Sequence, residues 1–153
     1  MRYKNIDFDI SGSIARIKLN RPEAGNTLNI DLAKELYDAT VITETSKKVK
    51  SLILTANGKL FCGGGDLKFL HESKDNIKKT LLEMTHYFHG AIARMVRMAA
   101  PVIIGINGTA GGGGFSLALT GDIIYAVKDA KFTVAYTNAG LSPDGSSTYF
   151  LTR

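Results

Sequence analysis

Two glycine runs, each entered from an apolar strand-like segment and each leading into helix-like sequence, constrain this chain most. Residues 101–121 read PVIIGINGTAGGGGFSLALTG. The run from Pro101 to Ile106 has strand length and β-branched content and breaks at Asn107-Gly108. Gly111-Gly112-Gly113-Gly114 follows, and then Phe115, Leu117, Ala118 and Leu119 come at helical spacing. Consecutive glycines cost backbone entropy on folding, so something must require bare backbone there. The first N–H groups of a helix have no internal partner and lie at the positive end of its dipole, where a negatively charged oxygen is stabilised. A turn packed tightly on neighbouring backbone would equally require glycine. The other run, Phe61-Cys62-Gly63-Gly64-Gly65-Asp66-Leu67, has the same character, with Asp66 placed to cap the helix after it.

The rest of the chain supplies an alternating framework. Tyr3, Ile6, Phe8 and Ile10 form one imperfect strand pattern and Ile14, Ala15, Ile17 and Leu19 a second, with Ser11-Gly12 between them as a hairpin turn. Residues 20–26 are a loop by composition. Leu28, Leu32, Leu36 and Tyr37 recur at helical spacing, with Asp31 favourably near the N-terminus. Residues 50–55 read as a short buried strand. Residues 75–98 read as one long helix with Ile77, Leu81, Leu82, Met84, Phe88, Ile92, Met95 and Val96 facing inward. Short strands are expected over 122–127 and 131–134, and there is no internal sequence repeat. Strand and helix alternating in this order predicts an α/β fold, in which ligands gather at the carboxyl ends of strands. Both glycine turns are thus expected to face one site.

Composition narrows the function classes. A chain of 153 residues with 44% hydrophobic and 22% charged residues suits one domain, here residues 1–153, with a real core. The net charge is +5, but lysines are scattered and the short run Lys47-Lys48-Val49-Lys50 has no aromatic interleaving. No nucleic-acid partner is expected, while a mild positive excess suits an anionic small molecule. No segment approaches the ~20 apolar residues of a membrane span. The lone Cys62 cannot form an internal disulfide, and with no signal-peptide core at the N-terminus the expected location is the cytoplasm.

Several chemistries fail on spacing. Neither glycine run matches a nucleotide-binding loop. Gly114-Phe115-Ser116-Leu117-Ala118 approaches a nucleophile elbow, yet His71, His86 and His89 all precede Ser116, against the order of such hydrolases. No metal-ligand spacing is present. A third reading is a pair of backbone N–H groups, one from each turn, around an acyl oxygen that becomes an enolate.

Three blocks resemble the crotonase (enoyl-CoA hydratase/isomerase) family in order and spacing. They are Leu19-Asn20-Arg21-Pro22-Glu23-Ala24, the segment from Phe61 to Lys68, and residues 101–114 together with Asp122-Ile123. The resemblance implies a crotonase spiral of repeated ββα units that processes acyl-CoA thioesters, assembled as a homotrimer or dimer of trimers. It implies an oxyanion hole from the N–H groups of Gly65 and Gly113. Coenzyme A, part of the substrate rather than a resident cofactor, would lie along Ala24 and Gly63 with Lys68 near its phosphates.

The family's pattern is also broken here. Hydratases of the family carry glutamates at two positions that are Ser116 and Tyr136 in this chain. Segment Gly140-Leu141-Ser142-Pro143-Asp144 instead resembles that of ring-epoxide and double-bond isomerases, which implies Asp144 as the acid/base. An apolar pocket is expected to raise its pKa. Isomerisation of an acyl-CoA is therefore the leading expectation, followed by hydration as a lyase of fatty-acid or aromatic-acid degradation and by acyl-CoA binding without catalysis. Family members also continue well past the position of Arg153, so a truncated C-terminus, lacking helices that close the site, and exposed apolar surface are expected.

Overall fold

The computed structural model describes residues 3–152. Strands β1 (Ile6–Ser11) and β2 (Ile14–Leu19) form the expected hairpin, and helix α1 (Ile30–Thr45) follows. Asn29 caps α1 by accepting from the Leu32 N–H at 2.8 Å. Next come β3 (Ser51–Ala56), β4 (Leu60–Cys62), α2 (Leu67–Glu72) and the long α3 (Ile77–Arg97). A third turn of the chain holds β5 (Val102–Ile106), β6 (Thr109–Gly111) and α4 (Gly113–Ala118). The last has β7 (Ile123–Ala126), β8 (Phe132–Thr133), a 3₁₀ turn at Ala135–Ala139 and the short α5 (Ser147–Phe150).

The repeat unit is strand, strand, helix. In each of the last three units the first strand joins one sheet and the second strand joins another. The larger sheet runs β1-β2-β3-β5-β7 and is parallel from β2 onward; the smaller runs β4-β6-β8, all parallel. The sequence pattern had assigned the glycine runs directly to the strands now labelled β3 and β5. They follow β4 and β6 instead, three-residue strands too short to carry a periodic signal.

Register explains the core. Ala15, Ile17 and Leu19 pair with Leu52, Leu54 and Ala56, and Leu52 and Leu54 pair with Val102 and Ile104. All of these are buried and lie on one face, as alternate residues of a strand must. Leu32, Leu36 and Ala39 of α1 and Met84, Phe88, Ile92 and Met95 of α3 belong to the same core. The helix α3 was expected to bury Ile77, Leu82 and Val96 as well. They are 37%, 63% and 44% exposed, because its buried stripe is the narrower one through Met84, Phe88 and Met95. The expected exposed apolar surface is present on β7, where Ile123, Ile124 and Tyr125 are all solvent-exposed. No helix is long and apolar enough to cross a membrane among the described residues.

Asn26, a loop residue by composition, is fully buried with φ 54°. Its side chain accepts from the Arg21 N–H at 2.8 Å and donates to the carbonyls of Asn57 and Leu60, both at 2.9 Å. One amide thus ties the loop after β2 to the turn before β4, in a left-handed conformation that asparagine tolerates. Asn26→Ala leaves these partners unsatisfied and is expected to cost about 3 kcal/mol. Thermal unfolding should show Tm lowered by roughly 10 °C, and an unchanged Tm would show that water replaces the amide.

Candidate active site

Because β4 and β6 are neighbouring parallel strands, the turns that leave them lie side by side. The contact is backbone on backbone. Gly64 has φ +97°, and a Cβ placed on it would lie 2.8 Å from the Gly111 carbonyl oxygen. A Cβ on Gly114 would lie 2.3 Å from the Cys62 carbonyl oxygen. Glycine is therefore required at both positions by close approach, and at Gly64 by conformation as well.

This contact leaves two donors free. Among the described residues, the N–H groups of Gly65 and Gly113 have no hydrogen-bond acceptor. Gly113 opens α4, where no intrahelical partner is available. Both glycines line a cavity of about 470 Å³ whose apolar wall includes Leu28, Leu70, Leu81, Met84 and Phe88. Among the described residues, Asp144 is the only carboxylate in that lining. The three residues expected to do chemistry, from segments far apart in sequence, are brought together.

Asp144 sits in a network that sequence reading did not reveal. Its Oδ1 accepts from the Tyr136 hydroxyl at 2.5 Å, and its Oδ2 lies 2.9 Å from His89 Nε2 on α3. The Ser116 hydroxyl lies 2.6 Å from the Tyr136 hydroxyl and 2.9 Å from the Asp144 carbonyl. The Tyr136 proton is committed to the carboxylate, so the single Ser116 proton serves one of these two acceptors at a time. The two positions where the family's glutamates would stand thus form a hydroxyl chain ending on the new carboxylate. Ser116 is fully buried and makes no hydrogen bond to a histidine among the described residues, which removes the nucleophilic-serine reading.

The electrostatics correct one expectation. Burial does push the Asp144 pKa upward, but the bonds from His89 and Tyr136 outweigh it and hold the carboxyl below its ordinary range. Tyr136 shifts the opposite way: burial, and then its bond to the Asp144 carboxylate, push the phenol well above its usual value, so it stays protonated. Burial pushes the Cys62 thiol up to about 12, which makes it a packing group and not a nucleophile.

The remaining expected residues stand at the edge of the first turn. Gly63 is exposed in the cavity lining, and its N–H donates to the Gly25 carbonyl at 3.0 Å. The Ala24 carbonyl accepts from Thr27, at 2.8 Å from the side chain. Lys68 is exposed on α2 and does not line the cavity. Asp66 caps α2 as expected, accepting from the Phe69 N–H at 3.1 Å, and also pairs with Arg21 at 3.1 Å. The Arg21 pairing links residues 45 positions apart and had no local signal. Among the described residues, no cluster of histidine, cysteine and carboxylate side chains is arranged to hold a metal ion.

A coil of ββα units that presents two free backbone donors above an apolar cavity is the crotonase fold. The chain belongs to the enoyl-CoA hydratase/isomerase family, whose sequence model matches residues 9–153. It is 32% identical to 1,2-epoxyphenylacetyl-CoA isomerase of Escherichia coli over 94% of this chain and 55% of that protein. It is 33% identical to crotonyl-CoA hydratase of Syntrophomonas wolfei over 100% of this chain and 58% of that protein. The crystal structure of an enoyl-CoA hydratase from Bacillus halodurans superposes with a TM-score of 0.90 at 28% identity, covering 98% of this chain and 61% of that one. The chain spans a little over half the length of these relatives.

Removing the Tyr136 hydroxyl tests the network. Asp144 is depressed in the folded state, so its ionisation favours folding above the ordinary carboxylate pKa of about 3.9. That contribution is lost as pH falls through the lower folded value. Tyr136→Phe deletes one depressing bond, so the Asp144 carboxyl carbon should titrate at higher pH by NMR. The fall in Tm between neutral and acid pH should also be smaller than in wild type. An unmoved titration would mean that His89 alone sets the carboxylate.

Proposed function

We propose that this chain carries the catalytic site of an acyl-CoA isomerase that moves a double bond, or opens a strained ring, through a thioester enolate. The observation that supports it is the position of Asp144, a carboxylate in the same cavity as the unpartnered N–H groups of Gly65 and Gly113. In this reading the thioester oxygen accepts from both N–H groups. Negative charge that develops on that oxygen meets fixed donors that need no reordering.

Asp144 then removes a proton from the acyl chain and returns one at a different carbon, so a single base is enough. Its depressed pKa keeps it ionised, hence ready to act as a base, at neutral pH. It is correspondingly a weak base, and the enolate must be made accessible by the oxyanion donors. The apolar wall of Leu28, Leu70, Leu81, Met84 and Phe88 suits an acyl tail. Coenzyme A would run past Ala24 and Gly63 towards the exposed Lys68, and no resident cofactor takes part. Hydration is less well served, because it requires groups that hold a water, and Tyr136 spends its proton on the Asp144 carboxylate while Ser116 spends its own on Tyr136 or the Asp144 carbonyl.

The test is mass spectrometry of an acyl-CoA panel incubated in deuterated water with wild type and with Asp144→Asn. Double-bond migration that falls by about a hundredfold or more in the variant is expected for a lost general base. A gain of one water that survives the substitution would replace isomerisation with hydration and remove Asp144 from the mechanism. Tight binding without conversion would leave an acyl-CoA-binding protein.

A further inference from the structure

The cavity that holds Gly65 and Gly113 has two unlike walls. Its polar side chains other than Thr85 are Tyr136, Asn138, Ser142 and Asp144, and all four come from the segment after β8. The other wall is built by α2, with Leu67 and Leu70, and by α3, with Leu81, Met84, Thr85 and Phe88. Thr85 spends its proton inside its own helix, on the Leu81 carbonyl at 2.7 Å. Among the described residues, no lysine, arginine or histidine lines the cavity.

The α3 residues are spaced i, i+3, i+4 and i+7, so they form one stripe along the helix. Phe88 marks its reacting end. A Cβ on Gly113 would lie 3.5 Å from Phe88 Cε1, and one on Gly145, next to Asp144, would lie 3.4 Å from the same atom. Leu81 marks the other end, seven residues earlier and so about 10 Å away along the axis. Phe88 and Met84 are 3% and 7% exposed, whereas Leu81 is only partly buried. The stripe is thus closed beside the donor and the base and opens towards water at Leu81.

We propose that this stripe is a ruler for the acyl tail, so that the site selects uncharged hydrocarbon chains of about ten carbons, with Leu81 setting the limit. This rests on the isomerase reading above, which puts the thioester at Gly65 and Gly113. With bonds near 1.5 Å and angles near 111°, an extended chain advances about 1.25 Å per bond, so about eight bonds cover the stripe. The thioester carbon and its neighbour, held at the donors, complete the count. Each methylene laid along the stripe exchanges water for an apolar surface, and each one beyond Leu81 stays in water. A charged tail would give up its hydration beside Met84 and Phe88 and meet no counter-ion there.

The measurement is kcat/KM for 3-enoyl-CoA substrates of rising length, from six carbons to sixteen. It is expected to climb about fourfold with each added methylene up to about ten carbons and to stay level beyond. No dependence on length, or a climb that continues to the longest chain, would overturn the ruler. Leu81→Ala is expected to lower the preference for ten carbons over six about tenfold, because the last methylenes lose their surface. Thr85→Phe, which fills the stripe one turn short of its end, should bring the plateau in by about five carbons and so abolish that preference. Variants that slow every length alike would give Leu81 and Thr85 a structural role only and overturn the assignment. An eight-carbon chain ended in a carboxylate is expected to fall about a hundredfold below its methyl-ended counterpart, and equality of the two would overturn the uncharged class. A protein that isomerises none of these substrates would remove the isomerase reading alone. The ruler is then decided by calorimetry of saturated acyl-CoAs, whose dissociation constants follow the same slope and plateau if α3 measures the tail and show neither if it does not.

Discussion

The whole arrangement depends on the place where two stretches of bare backbone touch. Gly64 approaches the Gly111 carbonyl and Gly114 approaches the Cys62 carbonyl so closely that a single methyl group on either would collide with the main chain. Such a collision cannot be relieved by a rotamer change; it would have to separate β4 from β6. The same turns carry the two unpartnered N–H groups, so any shift that relieved the collision would also move the donors. Glycine at these positions is thus a condition of the fold and of the site at once. The two readings of a glycine run, close packing and oxyanion binding, are one constraint seen from opposite sides.

Each end of this double turn is then fixed by a carboxylate with a lowered pKa, and the two serve different ends. Burial works against ionisation of Asp66, but the Phe69 N–H and Arg21 more than offset it. Arg21 also donates to the Thr27 carbonyl at 2.5 Å, so the loop after β2 and the start of α2 are held as one piece around Gly65. Both partners of that pair are largely shielded, with side chains 16% and 15% exposed. A pair of this kind secures geometry more than it adds net stability. Asp144 is held by the Tyr136 hydroxyl and by the His89 ring. It lines the cavity that holds Gly65 and Gly113, which Asp66 does not.

How much of this was legible in the sequence follows from the range of the interactions. The hairpin, α1 and its acidic first turn, and the helix cap at Asp66 rest on contacts within a few residues, and they were readable. So was the α/β order, because alternation is a property of the chain. The strands β4 and β6 were not, since three residues cannot display a period, and they exist because each turn of the coil supplies a partner for the next. The exposure of Leu82 and Val96 was missed for the same reason: α3 is apolar over a wider arc than its neighbours cover. The depressed pKa of Asp144 was the clearest failure. Its causes are the bonds from His89, 55 positions away, and from Tyr136, and no local pattern announces the His89 pairing.

The smaller sheet explains why the carboxylate and the second donor nonetheless keep a fixed relation. Strand β6 runs into Gly112 and Gly113, and it pairs with β8 through Ala110 with Phe132 and Gly111 with Thr133. The Gly112 N–H donates to the Thr133 carbonyl at 3.0 Å, one residue before the Gly113 donor. Directly after β8 the chain enters the 3₁₀ turn that carries Tyr136, and eight residues beyond Tyr136 stands Asp144, to which it is bonded. Phe132 and Phe115 pack with ring centroids 5.9 Å apart and tie the same strand to α4. The Gly113 N–H and Asp144 are thus positioned from the two members of a single parallel pair. A two-residue strand that contributes little to the core sets the geometry on which a proton transfer beside an enolate would depend.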